Sequence, residues 1–192
     1  MTAADDFQNA LDKLADDTAA TARRIANRRN ITRADRAVQL AGLLNRANAE
    51  AVALADGFTS RQLENLTGRP APARGVLPTD ESERLLKAAQ TVMADGEPLD
   101  RVERLARSEP LDTAQTAVTE AMSGQTGTGG TYYGWIRQLN KGACEVCRRW
   151  ARNGRVWPAD HRMPRHISCA CVQKIVTTST KPKPVRTRKQ NR

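Results

Sequence analysis

Five residues constrain this chain more than anything else in it: Cys144-x-x-Cys147, then His166-x-x-Cys169-x-Cys171. They include all four cysteines and one of the two histidines. A CxxC turn brings two sulfurs to one point, and HxxCxC offers three more donors about twenty residues later, a loop length ordinary between the halves of a structural zinc site. Thiolate and imidazole are the donors a tetrahedral zinc takes. The pattern predicts one structural zinc per chain, held by Cys144, Cys147, His166 and one or both of Cys169 and Cys171. Five candidates exceed four places, so one is spare. His161, between Asp160 and Arg162, reads as a weaker candidate in a polar loop. Two disulfides, or four free thiols, are the competing readings of the same count.

Such a staple is needed. Only 39% of the 192 residues are hydrophobic and seven are aromatic, five of these within 132–157. That is thin material for one large core. The predicted fold class is therefore mainly α, with a small C-terminal α+β zinc-stapled module of short strands and a disordered basic tail. Residues 1–68 read as an N-terminal helical arm, with helices at 3–29, at 33–56 behind a Thr32 cap and ahead of Gly57, and a short one to Leu66. Residues 69–79 form a Pro-rich linker. The helical region 80–122 starts from a Thr79 cap, breaks at Gly96 and Pro98, and continues as helices at 98–108 and 111–122. The segment 123–130, SGQTGTGG, reads as a Gly-rich hinge. The Cys/His module spans 131–178, with strand candidates at 131–139, 155–157 and 171–178, and the tail spans 179–192. No apolar run approaches the roughly 20 residues of a membrane span. The N-terminus lacks the positive start and apolar stretch of a secretory signal, so a protein made inside a cell, or packaged from one, is expected.

Charge divides the chain in the same place. Residues 131–192 carry 15 Lys/Arg against 2 Asp/Glu, net +13, while residues 1–130 are net −3. The asymmetry points to a polyanion as partner of the basic half. Lys181, Lys183, Arg186, Arg188, Lys189 and Arg192 are the expected non-specific phosphate contacts to DNA. In the helical half, Leu40, Leu43 and Leu44, and Leu85, Leu86 and Val92, form apolar stripes expected to dock on a partner protein. A self-contained bundle is the alternative. The hinge would let the basic module reach elsewhere.

Catalysis finds little support. The module's acids are Glu145 and Asp160 alone, and a catalytic zinc wants an open position with a carboxylate base nearby. The H-x-E…P-C-x-x-C signature of zinc deaminases is absent. Asp160, His161 and His166 cluster as in a metal-dependent nuclease, but too few residues follow to complete such a fold. No serine sits in a nucleophile-elbow context. A non-enzyme is expected, with a capsid protease or HNH-like nuclease as the enzymatic alternative. A zinc-containing DNA-binding regulator is the other: residues 47–66 loosely fit a helix-turn-helix around Gly57, although an αα-hairpin suits them better.

From Trp135 to Val176 the chain reads GWIRQLNKGACEVCRRWARNGRVWP…MPRHISCACVQKIV. This resembles the C-terminal domain of MuF-type minor head morphogenesis proteins of tailed bacteriophages, with Trp135, Cys144, Cys147, Gly154, Trp157, Pro158, His166, Cys169 and Cys171 in register. Asn140 and Asn153 stand where that family usually has Asp, Ile167 where it has Pro, and Ala170 where it has Arg. The resemblance implies a minor capsid protein that acts beside the portal, helps head assembly and DNA passage, and contacts portal protein or major capsid protein. It further implies residence in the virion, with the host cytoplasm as the site of assembly, and neither a membrane nor a small-molecule substrate.

Overall fold

A computed structural model of the chain describes residues 2–94, 99–127 and 129–184. The structure is 58% helical, with a small three-stranded antiparallel sheet near the C-terminus, as composition predicts. The elements are α1 (Ala3–Ala26), α2 (Arg33–Thr67), α3 (Ser82–Val92), α4 (Leu99–Met122), β1 (Tyr132–Gln138), α5 (Glu145–Ala151), a single 3₁₀ turn (Arg152–Gly154), β2 (Trp157–Pro158) and β3 (Val172–Thr178).

Local chemistry starts the first two helices. Thr2 and Thr32 each accept from the backbone N–H three residues on, while Asp5 and Asp35 accept in return from the cap N–H. These reciprocal bonds satisfy donors that would otherwise be orphaned. Helix α3 starts differently from expectation: Thr79 does not cap it, and the Asp80 carboxylate accepts instead from the Ser82 N–H at 3.0 Å. Gly68, at φ 64°, ends α2 in the left-handed conformation that glycine takes without strain.

Two expected breaks are not breaks. Helix α2 runs without interruption through Gly57, and Pro110 lies inside α4. Burial decides both. A mid-helix glycine costs about 1 kcal/mol, but Phe58 beside it is fully buried and stacks on Phe7 with centroids 4.3 Å apart. Proline in a helix interior costs about 3 kcal/mol, yet Ala106, Leu111 and Ala114 around it are 0% exposed. With residues 47–66 inside one helix, both the helix-turn-helix and the αα-hairpin readings fall. The expected break at Gly96 and Pro98 lies outside the described residues.

Helices α1, α2 and α4 pack on one another along their lengths. Two apolar clusters result. One joins the second half of α1 to the start of α2, α3 and the start of α4, around Leu40, Leu44 and Leu85; Leu43, Leu86 and Val92 pack against it. The leucine stripes therefore face each other rather than a partner, which corrects the docking expectation. The other cluster joins Phe7, Leu11, Phe58, Leu111 and Val118 to Ala170, Val172 and Ile175 of the C-terminal module. The module is thus seated on the helices through β3, not swung free by residues 123–130.

The linker 69–79 is extended but tied down. The Asp56 carboxylate on α2 accepts from the N–H groups of Arg74 (2.9 Å), Gly75 (2.8 Å) and Val76 (3.2 Å). Asp56→Ala leaves those three donors unpaired and is expected to cost about 2–3 kcal/mol, read as a lower urea midpoint with an unchanged slope.

In the sheet, β1 lies between β2 and β3, pairing Trp135 with Trp157 on one side and Ile175 on the other. Gly134 is required there, because a Cβ would sit 2.4 Å from the Trp157 carbonyl oxygen.

Candidate metal centre

The five sequence-predicted donors converge. Cys144 is the N-cap of α5, and its Sγ accepts from the Cys147 N–H at 3.5 Å. One turn of helix thereby aims both sulfurs at the loop before β3. His166 Nε2 lies 3.2 Å from Cys144 Sγ and 3.0 Å from Cys147 Sγ, and Cys169 Sγ lies 3.4 Å from Cys147 Sγ. Cys144, Cys147 and His166 form one group able to hold a metal ion; Cys147, Cys169 and Cys171 form a second that shares Cys147. All four cysteines are free thiols. Cys147, Cys169 and Cys171 are buried, while Cys144 is exposed.

The histidine is set up as a ligand. Its Nδ1 lies 2.9 Å from the Ile167 carbonyl oxygen, which can only accept, so Nδ1 carries the proton. The Nε2 lone pair then points at the sulfurs, the arrangement in which an imidazole binds a metal.

The thiols differ electrostatically. The Cys147 N–H lowers the Cys144 thiol, with the start of α5 adding to it. Burial, together with the neighbouring Cys169, pushes the Cys147 thiol up to about 12. The neighbouring Cys171 lowers the Cys169 thiol to about 4, while Cys169 and burial push Cys171 upward. The Cys171 thiol donates to Asn140 Oδ1 at 3.8 Å. Cys169 is the more acidic of the pair and lies against Cys147, whereas Cys171 is the one engaged by Asn140.

A residue that sequence reasoning missed completes the site. Arg137 on β1 is 5% exposed, and its Nη1 lies 3.6 Å from Cys169 Sγ and 3.8 Å from Cys147 Sγ. Its other terminal nitrogen donates to the Pro164 carbonyl, and the guanidinium lies over the Trp150 ring, 5.4 Å from its centroid. Among the described residues, no carboxylate pairs with it. A buried cation without a counter-charge is costly, so thiolate sulfur is the anion that answers it. The alternation of β1 carried the signal: Trp135 and Arg137, two apart on a strand, share a face.

His161 is not part of the cluster. Its ring stacks on Trp157 at 4.6 Å, and its carbonyl accepts from Trp135 Nε1 at 2.9 Å. It belongs to the small aromatic core beneath the sheet, and burial lowers its pKa. Comparison with protein-family models, curated proteins and solved structures finds no match.

Glutamines, also unforeseen, fix the donor segment to the helices. Gln115 Nε2 on α4 donates to the carbonyls of Cys169 (3.1 Å) and Cys171 (2.9 Å). Gln8 donates to Ala170 O at 2.9 Å, and Gln173 to Thr119 Oγ1 at 2.8 Å. Arg165 pairs with Asp112 at 3.1 Å. Of the expected DNA contacts, Lys181 and Lys183 are exposed; Arg186, Arg188, Lys189 and Arg192 lie outside the described residues.

The donor set passes the test of chemistry. A tetrahedral ion with bonds of about 2.3 Å to sulfur and 2.0–2.1 Å to nitrogen has donor–donor edges of roughly 3.6–3.8 Å, a few tenths longer than the separations of Cys144 and Cys147 from His166 and of Cys147 from Cys169, 3.0–3.4 Å. The first group is two thiols and an imidazole and the second is three thiols, with no carboxylate in either.

Proposed function

We propose that this chain is a non-enzymatic minor capsid protein of the MuF type, a head morphogenesis protein of a tailed phage, whose C-terminal module is stapled by one zinc ion. The observation that carries the reading is the gathering of Cys144, Cys147 and His166 into one group, with Cys169 3.4 Å from the shared Cys147, all residues that stand in register with that family's pattern.

Zinc bound there would supply the positive charge that holds three thiolates and a neutral imidazole together, adding binding energy to folding. Cys144 and Cys147 are presented by the start of α5, His166 by its Ile167 bond, and Cys169 by Gln115. A divalent ion with three thiolates keeps one net negative charge, which the Arg137 guanidinium offsets. Arg137→Met is expected to speed metal loss to a chelator and to weaken metal affinity about 10- to 100-fold, the range for partners just outside the ligands. Arg137→Lys, which keeps the charge, should recover part of that loss.

With three thiolates filling the metal's places and no carboxylate base beside them, the site suits scaffolding rather than hydrolysis. The internal burial of the leucine stripes leaves the outer surface for contacts with portal or major capsid protein. The basic C-terminal half is the proposed non-specific contact with packaged DNA, in the virion and, during assembly, in the host cytoplasm. The test is co-expression of the full chain with the portal and major capsid proteins encoded beside it. Co-purification with either protein, and presence in assembled heads at few copies, is the expected result. Absence from purified heads would overturn the reading.

A further inference from the structure

The turn between α1 and α2 gathers a charge that the net −3 of the N-terminal half conceals. Residues 18–49 contain seven arginines and a single acid, Asp35. Asp35 is engaged by the Thr32 cap, Arg23 pairs with Glu103 at 3.0 Å, and Arg36 donates to the Ala26 and Arg28 carbonyls at the end of α1. Arg24, Arg28, Arg29 and Arg46 are exposed. Among the described residues, none of these four has a carboxylate partner. Arg24 and Arg28 donate only to neutral oxygens, those of Thr21 (2.8 Å) and Gln39 (2.9 Å).

Three of the four surround one groove. Arg24 stands near the end of α1, Arg28 in the turn just past it and Arg46 on α2, with Ile25, Val38 and Gly42 lining the groove beside them. The groove holds about 530 Å³, and Val38 is 59% exposed. Uncompensated like charges on adjoining helix faces cost stability, and a guanidinium fork matches phosphate geometry. The apolar surface between them is small, too little to anchor a protein helix, which binds mainly through buried aromatic and aliphatic side chains.

We propose that this arginine groove binds the phosphate backbone of duplex DNA, as a site separate from the basic C-terminal half. The first half of α1 packs with β3 and the second half with α3. The groove therefore lies at the opposite end of a helix of about 36 Å from the Cys/His module. One chain can then touch DNA at both ends.

The test measures binding of the full chain to a 30-base-pair duplex of arbitrary sequence across a salt series. It compares the wild type with Arg24→Gln/Arg28→Gln/Arg46→Gln, three exposed changes whose fold is checked by thermal melting. A polyglutamate arm is run at each salt. Each lost phosphate contact lowers the slope of log affinity against log salt by about 0.9. The expected result is a slope shallower by about 2–3 and affinity at least about tenfold weaker, with the contribution of the C-terminal half remaining. Equal slopes for the two proteins overturn the proposal. So does a triple variant that loses polyglutamate binding while keeping DNA binding, which would reassign the groove to an acidic protein.

Discussion

Cys147→Ala is expected to abolish metal binding and unfold the module, with the largest loss of stability of any single substitution in the chain. Cys147 is the donor common to both groups, 3.0 Å from His166 Nε2 and 3.4 Å from Cys169 Sγ, and it is 1% exposed. The module's own apolar clusters are small: Ala143 with the cysteines, and Trp135 with Trp157 and Met163. Structural zinc supplies roughly 10–16 kcal/mol in small zinc-dependent folds at neutral pH, more than so small a core can replace. The damage should also reach the helices, because Ala170, Val172 and Ile175 cover one face of the bundle. The measurement is metal content together with near-ultraviolet circular dichroism of the tryptophans. Loss of metal and of the aromatic signal is expected, with the helical signal kept but its melting temperature lowered. Chelation of the wild type should reproduce the effect. The exposed Cys144, changed to Ser, should weaken metal binding with less loss of packing.

Phe58→Ala is expected to cost about 3–5 kcal/mol, the range for deleting a buried aromatic ring. Phe58 is 0% exposed in mid-α2 and stacks on Phe7 at an interplanar angle of 5°. The same cluster contains β3 residues from the module. Removing the ring therefore opens a cavity where three helices and the sheet meet. Denaturant unfolding followed both by helical signal and by tryptophan fluorescence should shift together. Two separated transitions would show that module and helices unfold independently, against the shared core described above.

The parts of this fold legible in the sequence are those set by local chemistry. The CxxC and HxxCxC spacings are dictated by what a tetrahedral site needs, so the donors could be named without a fold. Thr32 with Asp35 is a capping box readable from four residues. The aromatic and β-branched run at 131–139 becomes β1, Tyr132–Gln138. What was hidden depends on distant partners. Gly57 and Pro110 are breakers by propensity, and only the burial of Phe58 and Leu111 keeps their helices whole. The leucine stripes look the same whether they meet a partner or each other, and the chain pairs them internally. Residues 123–130 have the composition of a free hinge. Gln8 and Gln115 on the helices, with Gln173 and Arg165 reaching back from the module, hold it in place, however, and glutamine carries no local sign of that role. Arg137 was obscured in a different way: a lone cation in a basic segment reads as surface until the strand's alternation is set beside the cysteines. Averaging charge over 130 residues likewise hid the arginines of the α1–α2 turn.

The most direct test of the central claim is X-ray absorption at the metal edge of the full chain, purified with reductant and without added metal, alongside its metal stoichiometry. The account predicts one zinc per chain with a first shell of three sulfurs and one nitrogen, unchanged in Cys171→Ser. A metal-free chain with Cys147 and Cys169 oxidised, or a zinc whose shell includes a water oxygen in place of one sulfur, would contradict it.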